Sequence, residues 1–133
     1  MSDVSKAAVD WRQLREFHDV DIGHSYILSW KMQADTLVID VDLVLTEQHP
    51  FYVPLRPAQK ACICAATLEF PACSLIVLDH EQRPATPAEV ADTLRGGMIE
   101  SLCRIDDGPY VISGKFGTVS VTAERPILRL QRT

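Results

Sequence analysis

Hydrophobic and polar residues alternate along most of this chain, a period of two that is typical of β-strands with one buried face. In the clearest segment, five consecutive odd positions are aliphatic: Leu37, Ile39, Val41, Leu43 and Leu45. Asp40 and Asp42 lie between them, which predicts a strand with one face in the core and the other in water. Two carboxylates at this spacing also suit acid–base chemistry, but a solvated sheet face is the favoured interpretation, since nothing nearby in sequence would raise either pKa.

The preceding segment predicts the other strand of a β-hairpin, with a turn at residues 33–36. Its alternating positions place three large apolar side chains on one face: Tyr26, Leu28 and Trp30. Similar alternation predicts further strands over residues 62–70, 74–78, 98–105, 110–123 and 127–131. In segment 110–123, the alternation of apolar and polar residues shifts by one position at Gly117. This shift favours a glycine bulge in one long bent strand, with a tight turn as the alternative.

Two short helices interrupt the strands. Asp10 to Phe17 repeats apolar residues at helical spacing, and Asp10 with Gln13 forms a capping pair. Pro87 to Arg95 follows a second capping pair, Thr86 with Glu89, and precedes two glycines. The pattern predicts a mainly β protein: a single-domain antiparallel β-sandwich or open barrel of about seven to eight strands with two short helices.

Composition and charge limit the number of domains and the kinds of partner that we expect for this protein. A chain of 133 residues with 47% hydrophobic residues suits one domain over 1–133, with residues 1–9 expected to fray. The net charge of −5 repels phosphate and anionic lipid, which argues against nucleic-acid or membrane partners. We expect a cytoplasmic protein, since the sequence shows neither a signal-peptide pattern nor a run of eighteen apolar residues.

Few residues of this sequence indicate a metal site or a catalytic function. Cys62 and Cys64 share strand parity with Leu68 and Phe70, which predicts reduced, inaccessible core thiols. Four possible metal ligands crowd into seven residues: His18, Asp19, Asp21 and His24. Their spacing matches no metal motif, so hydrogen bonds that close the helix end are favoured over a metal site. With no nucleophile elbow and no phosphate-binding loop, we expect no catalytic residue, metal or cofactor.

The proline-containing segment 46–59 is the most informative irregularity, because loops rarely expose aromatic residues to water. Four of its residues are candidate binding residues: His49, Phe51, Tyr52 and Arg56. The aromatic side chains fit either a lid over one end of the sandwich or an interface with a protein partner. A mean hydropathy of +0.02 favours some self-association, for example a homodimer.

Several strings of this sequence carry a resemblance that runs from about Trp11 to Leu130: FHDVDI, SYILSW, DTLVIDVDLVL, ATLEF and GKFGTVSVTAERPILRL. Together they resemble small uncharacterised bacterial β-domain proteins, whose layout is similar to immunity-protein families of bacterial toxin systems. The resemblance implies a β-rich cytoplasmic domain with no assigned cofactor and no catalytic residue. By analogy, it implies a role in neutralising a toxin.

These observations lead to two hypotheses of function. The first is a non-enzymatic protein that binds a basic partner, such as a nuclease toxin, through five acidic residues: Asp19, Asp21, Asp40, Asp42 and Glu47. The second is a small-molecule-binding protein or enzyme with a pocket under the 46–59 loop, where His49, Tyr52 or Arg56 would contact the ligand.

Overall fold

The computed structural model describes residues 8–78, 83–84, 86, 88–89, 97–106 and 108–131. These residues form ten strands: β1 (Ala8–Asp10), β2 (Val20–Gln33), β3 (Thr36–Leu45), β4 (Cys62–Phe70), β5 (Leu75–Leu78), β6 (Arg83–Pro84), β7 (Gly97–Ile105), β8 (Tyr110–Gly114), β9 (Gly117–Thr122) and β10 (Ile127–Leu130). Two 3₁₀ turns, Trp11–Gln13 and Arg15–Phe17, lie between β1 and β2.

The strands form one antiparallel sheet in the order β10-β4-β3-β2-β7-β8-β9-β5-β6, and β1 pairs with β7. Both halves of this sheet contribute to a single apolar core. Phe70 of β4 and Tyr110 of β8, for example, have ring centroids 5.4 Å apart. The predicted mainly β, antiparallel fold, a sandwich or open barrel, is confirmed as a mainly β open sheet. It has more strands than expected, because β1 and β6 are too short to show a period and residues 110–123 form two strands.

The predicted inward face of β3 and of the second half of β4 is confirmed, but Val38, on the face of β3 predicted to lie in water, is only 5% exposed. All five aliphatic residues of β3 at odd positions are at most 4% exposed, and Ala66, Leu68 and Phe70 of β4 are buried beside them. Asp40 lies on the opposite face, where it accepts a hydrogen bond from Ser29 Oγ at 2.6 Å and lies 3.6 Å from Lys31 Nζ. Its surroundings are those of a partly solvated sheet face.

The predicted face of β2 is wrong. Tyr26 and Leu28 are 46% and 51% exposed, whereas Ile27 and Trp30 are buried. The pairing with β3 shifts register twice, between Asp21 and Tyr26 and again between Ile27 and Ser29. Each irregularity reverses which residues point inward, so a single period of two does not describe this strand.

Ser25 occupies the first of these irregularities and is fully buried. Its hydroxyl donates to the Asp21 carbonyl at 2.7 Å and accepts from the Val44 N–H at 3.0 Å. The side chain thereby satisfies two backbone groups at a point where the regular pairing of β2 with β3 is interrupted.

The first predicted helix is instead the pair of 3₁₀ turns. Asp10 and Gln13 form the expected capping box, but Leu14 has extended backbone angles (φ −96°, ψ 126°) and ends the first turn. This break allows both Trp11 and Phe17 to be buried in the core.

Other expectations fall partly outside the described residues. Most of the second predicted helix, 87–95, lies there, although Thr86 and Glu89 exchange the two expected capping hydrogen bonds at 3.0 and 3.2 Å. Residues 1–9 were expected to fray. Residues 1–7 lie outside the described part of the chain, and Ala8 and Val9 pair with β7.

A tight turn, the alternative considered at Gly117, replaces the favoured bulge. β8 and β9 form a hairpin in which Gly114 pairs with Gly117 across two turn residues, Lys115 and Phe116. Gly117 has a φ of 126°, a backbone conformation that L side chains rarely adopt. The turn directs Phe116 onto Trp30, with ring centroids 5.8 Å apart.

Replacing Ser25 tests the irregularity in β2. We expect Ser25→Ala to lower the free energy of unfolding by about 1–3 kcal/mol, because it leaves the Val44 N–H buried without its partner. Ser29→Ala removes an exposed hydroxyl from the same strand and should cost no more than about 0.5 kcal/mol. Urea unfolding measures both, and equal losses would contradict the assigned role of Ser25.

Tyr110 should make stability sensitive to alkali. Burial raises the pKa of Tyr110 above its ordinary value of about 10, and the positive charge of Arg104 only partly offsets this. The unfolded chain thus loses its proton first, so stability should fall as the pH rises past about 10. Tyr110→Phe should reduce that fall, which urea unfolding across this pH range measures, and an equal fall in the variant would contradict the role assigned to Tyr110.

Candidate functional site

A cavity of about 550 Å³ lies between the loop after β3 and the first residues of β4. Its lining comes from the end of β3, the loop, β4 and the residue after β10: Leu45, Pro50, Phe51, Tyr52, Val53, Pro54, Arg56, Gln59, Cys62, Ile63, Cys64, Ala65 and Gln131. This volume lies within the range of about 300–1,000 Å³ that is usual for small-molecule sites.

Hydrogen bonds to the residue before β2 and within the loop hold the loop in place. Thr46 is tied to the carbonyl of Asp19 through both its N–H, at 3.2 Å, and its Oγ1, at 3.0 Å. Two successive turns follow, in which His49 donates its N–H to Thr46 and Tyr52 donates its N–H to His49, each at 3.0 Å. Prolines further restrict the backbone, so the loop is well suited to form a fixed wall.

His49 supports the loop and does not line the cavity. Its Nδ1 accepts a hydrogen bond from the Phe51 N–H at 3.0 Å, which requires the proton of the neutral ring to be on Nε2. The two rings also meet edge to face, with centroids 5.4 Å apart. The structure therefore places this candidate binding residue where it positions Phe51.

Phe51 and Tyr52 are half-buried, pack against the apolar core and line the cavity. Val53 and Leu55, the next apolar residues of the loop, are 64% and 42% exposed. The two aromatic side chains thus cover this end of the sheet, as expected of a lid. Their role in an interface with another molecule stays a prediction.

Arg56 and Gln59 form a closed turn on the same wall. The Arg56 N–H donates to Gln59 Oε1 at 2.8 Å, and the Gln59 N–H donates to the Arg56 carbonyl at 2.9 Å. Among the described residues, no carboxylate forms a salt bridge with the guanidinium of Arg56. Arg56, the last of the four candidate binding residues, therefore presents an exposed positive charge at the cavity.

Cys62 and Cys64 also line the cavity. Both thiols are free and half-buried, so the expectation of fully enclosed core thiols is wrong: full burial on β4 begins at Ala66. Cys64 Sγ donates to the Gln131 carbonyl at 3.3 Å. Burial raises the pKa of the Cys64 thiol, the nearby Cys62 raises it further, and the bond to Gln131 opposes both effects.

The remaining candidate ligands stay apart from this site. His18 pairs with Asp19 at 3.0 Å and His24 with Asp21 at 2.8 Å. Across the part of the chain that the structure describes, no three His, Cys, Asp or Glu residues are grouped to hold a metal.

Sequence reasoning identified only three of the lining residues as candidates, Phe51, Tyr52 and Arg56. Among those it missed are the two amide side chains, Gln59 and Gln131. Gln59 is an ordinary polar loop residue, and Gln131 reaches the cavity only because β10 pairs with β4. Neither carries a local pattern that would have identified it.

Comparison of the chain with protein-family models, with curated proteins and with solved structures found no match. Within the described ranges, none of the helical segments has the length and apolar character needed to cross a membrane.

Replacing Phe51 tests the lid. We expect Phe51→Ala to lower the free energy of unfolding by about 1–2 kcal/mol, roughly half the cost at a fully buried phenylalanine, because the ring is half-buried. Val53→Ala changes an exposed neighbour and should have an effect within about 0.5 kcal/mol. Urea unfolding and sedimentation should be measured together. Unchanged stability with lost association would favour an interface instead.

Proposed function

We propose that this protein binds a small molecule with an apolar body and an anionic group, in the cavity under the 46–59 loop. The observation that carries the proposal is a cavity of about 550 Å³ that combines an aromatic wall with an arginine free of any carboxylate partner among the described residues. This combination is typical of ligand pockets, in which apolar surface supplies affinity and a few polar groups fix orientation.

The apolar part of the ligand would lie against Phe51, Tyr52 and Leu45. Both aromatic rings already pack on the core. The hydrogen bond from the Phe51 N–H to His49 Nδ1, 3.0 Å long, holds the loop backbone in place. Little conformational freedom would be lost on binding, which favours affinity.

The anionic group would bind Arg56. A guanidinium offers a planar set of donors that matches a carboxylate, sulfonate or phosphate, and it keeps its charge at any physiological pH. Gln59 also lines the cavity and accepts the Arg56 N–H at Oε1, so its amide nitrogen would be available as a second donor to the anion.

The lining favours binding over catalysis. The described lining residues include two thiols and a phenol but no histidine or carboxylate that would act as a general base. Because the Cys64 pKa is raised, this thiol stays neutral and weakly nucleophilic near neutral pH.

Binding of a basic protein, the role implied by the resemblance to immunity proteins, has less support. Asp19, Asp21 and Asp40 each lie within 4 Å of a His or Lys nitrogen, at 3.0, 2.8 and 3.6 Å. The positive charge of Lys31 beside Asp40 reduces the negative field that would attract a basic partner at that point of the surface. Association with a protein partner, or with a second copy, stays a prediction.

Anilinonaphthalene sulfonate, an aromatic anion, tests the proposal as a fluorescent probe. We expect saturable binding to the folded protein, weakened about tenfold in Arg56→Gln, which corresponds to the loss of about 1.4 kcal/mol. Lys60→Gln removes an exposed positive charge from the same loop, outside the cavity lining, and should bind like the wild type. Equal affinity of the Arg56 variant and the wild type would contradict the proposal.

A further inference from the structure

Two of the four cysteines lie on the same face of one strand. Cys62 and Cys64 are the first and third residues of β4, and alternate strand residues point to the same side. Both thiols are free, half-buried and part of the cavity wall. The pair is thus accessible to a single ligand from the cavity.

The strand geometry disfavours a direct disulfide between them. Two residues of extended strand span about 6.6 Å between Cα atoms, close to the upper limit of about 6.8 Å for disulfides. Pairing with β3 holds β4 extended at both positions, where Cys62 lies opposite Leu45 and Cys64 opposite Leu43. A disulfide would therefore require β4 to shorten between the two cysteines. A metal ion between the two sulfur atoms would not, because two metal–sulfur bonds of about 2.3 Å each would separate them.

We propose that Cys62 and Cys64 together bind one soft monovalent metal ion of the Cu(I) class. Thiolates are soft ligands that select such ions, and Zn²⁺ usually requires four ligands in a tetrahedron. The described residues supply no third His, Cys, Asp or Glu to this pair. A two-sulfur set therefore suits an ion that accepts linear coordination.

The reaction balances without any change of oxidation state. Two S–H bonds break, two Cu–S bonds form, two protons pass to solvent and copper remains Cu(I). Cys64 gives up its hydrogen bonds to the Gln131 and Ala65 carbonyls, at 3.3 and 3.5 Å, which costs little because a thiol is a weak donor. The complex carries one negative charge, which the positive charge of Arg56 in the same cavity wall favours.

A competition titration under anaerobic conditions tests this site, with Cu(I) supplied as its acetonitrile complex, which contains no aromatic anion that could itself bind beside Arg56. We expect the wild type to withdraw one equivalent of Cu(I), and native mass spectrometry to show one added copper. Cys62→Ser and Cys64→Ser should each weaken binding at least tenfold. Cys73→Ser and Cys103→Ser, which also remove half-buried free thiols, should retain it and serve as matched controls.

Thermal melting establishes whether each variant is folded. Where a serine variant does not fold, the alanine variant at the same position, Cys62→Ala or Cys64→Ala, replaces it. Failure of the wild type to compete for Cu(I) would overturn the proposal, as would full retention in the Cys62 or Cys64 variants. A comparable loss in the Cys73 or Cys103 variants would also overturn it. The inference does not rest on the anionic ligand, because Cu(I) competition and the naphthalene probe report on different side chains.

Discussion

The structure depends on how β2 pairs with its neighbours. This strand of 14 residues is bonded to β3 along most of its length and to β7 at Tyr26 and Ile27, so it joins the two halves of the sheet. Two register shifts along β2 bend it and reverse its inward face. Because Ser25 satisfies the backbone at the first shift, the bend does not leave the Val44 N–H unpaired. The halves can then close on one core.

The cavity is a consequence of the same layout. β4 pairs with β3 over its whole length, but β10 pairs with it only from Ala66 to Glu69. The first residues of β4, including both thiols, therefore lie beyond that pairing and face the loop that follows β3. The loop covers this end with Phe51 and Tyr52 and leaves Arg56 exposed at the cavity. Apolar, cationic and thiol groups meet there although they come from separate parts of the chain.

Sequence reasoning succeeded where apolar residues recur at every second position of a strand without a shift in register. Every odd position of β3 from Leu37 to Leu45 is buried, although Val38 on the other face is buried as well, and the buried end of β4 follows the same rule. It failed in β2, where Tyr26, Leu28 and Trp30 were predicted to share one face, because a bulge inside a strand leaves no mark on an apolar run. At Gly117, a bulge and a two-residue turn produce the same change of parity, and the local sequence did not distinguish them.

By itself, the sequence determined the class of fold, the strands with regular periods and the loop most worth examining. These follow from local patterns, because a strand half in water needs alternating residues and a loop with aromatic side chains needs something to cover. Only the tertiary structure decided that His49 positions Phe51, that Gln131 reaches the cavity and that Cys62 and Cys64 stand at its wall. Such placements depend on contacts between residues far apart in the chain, for which local periodicity carries no signal.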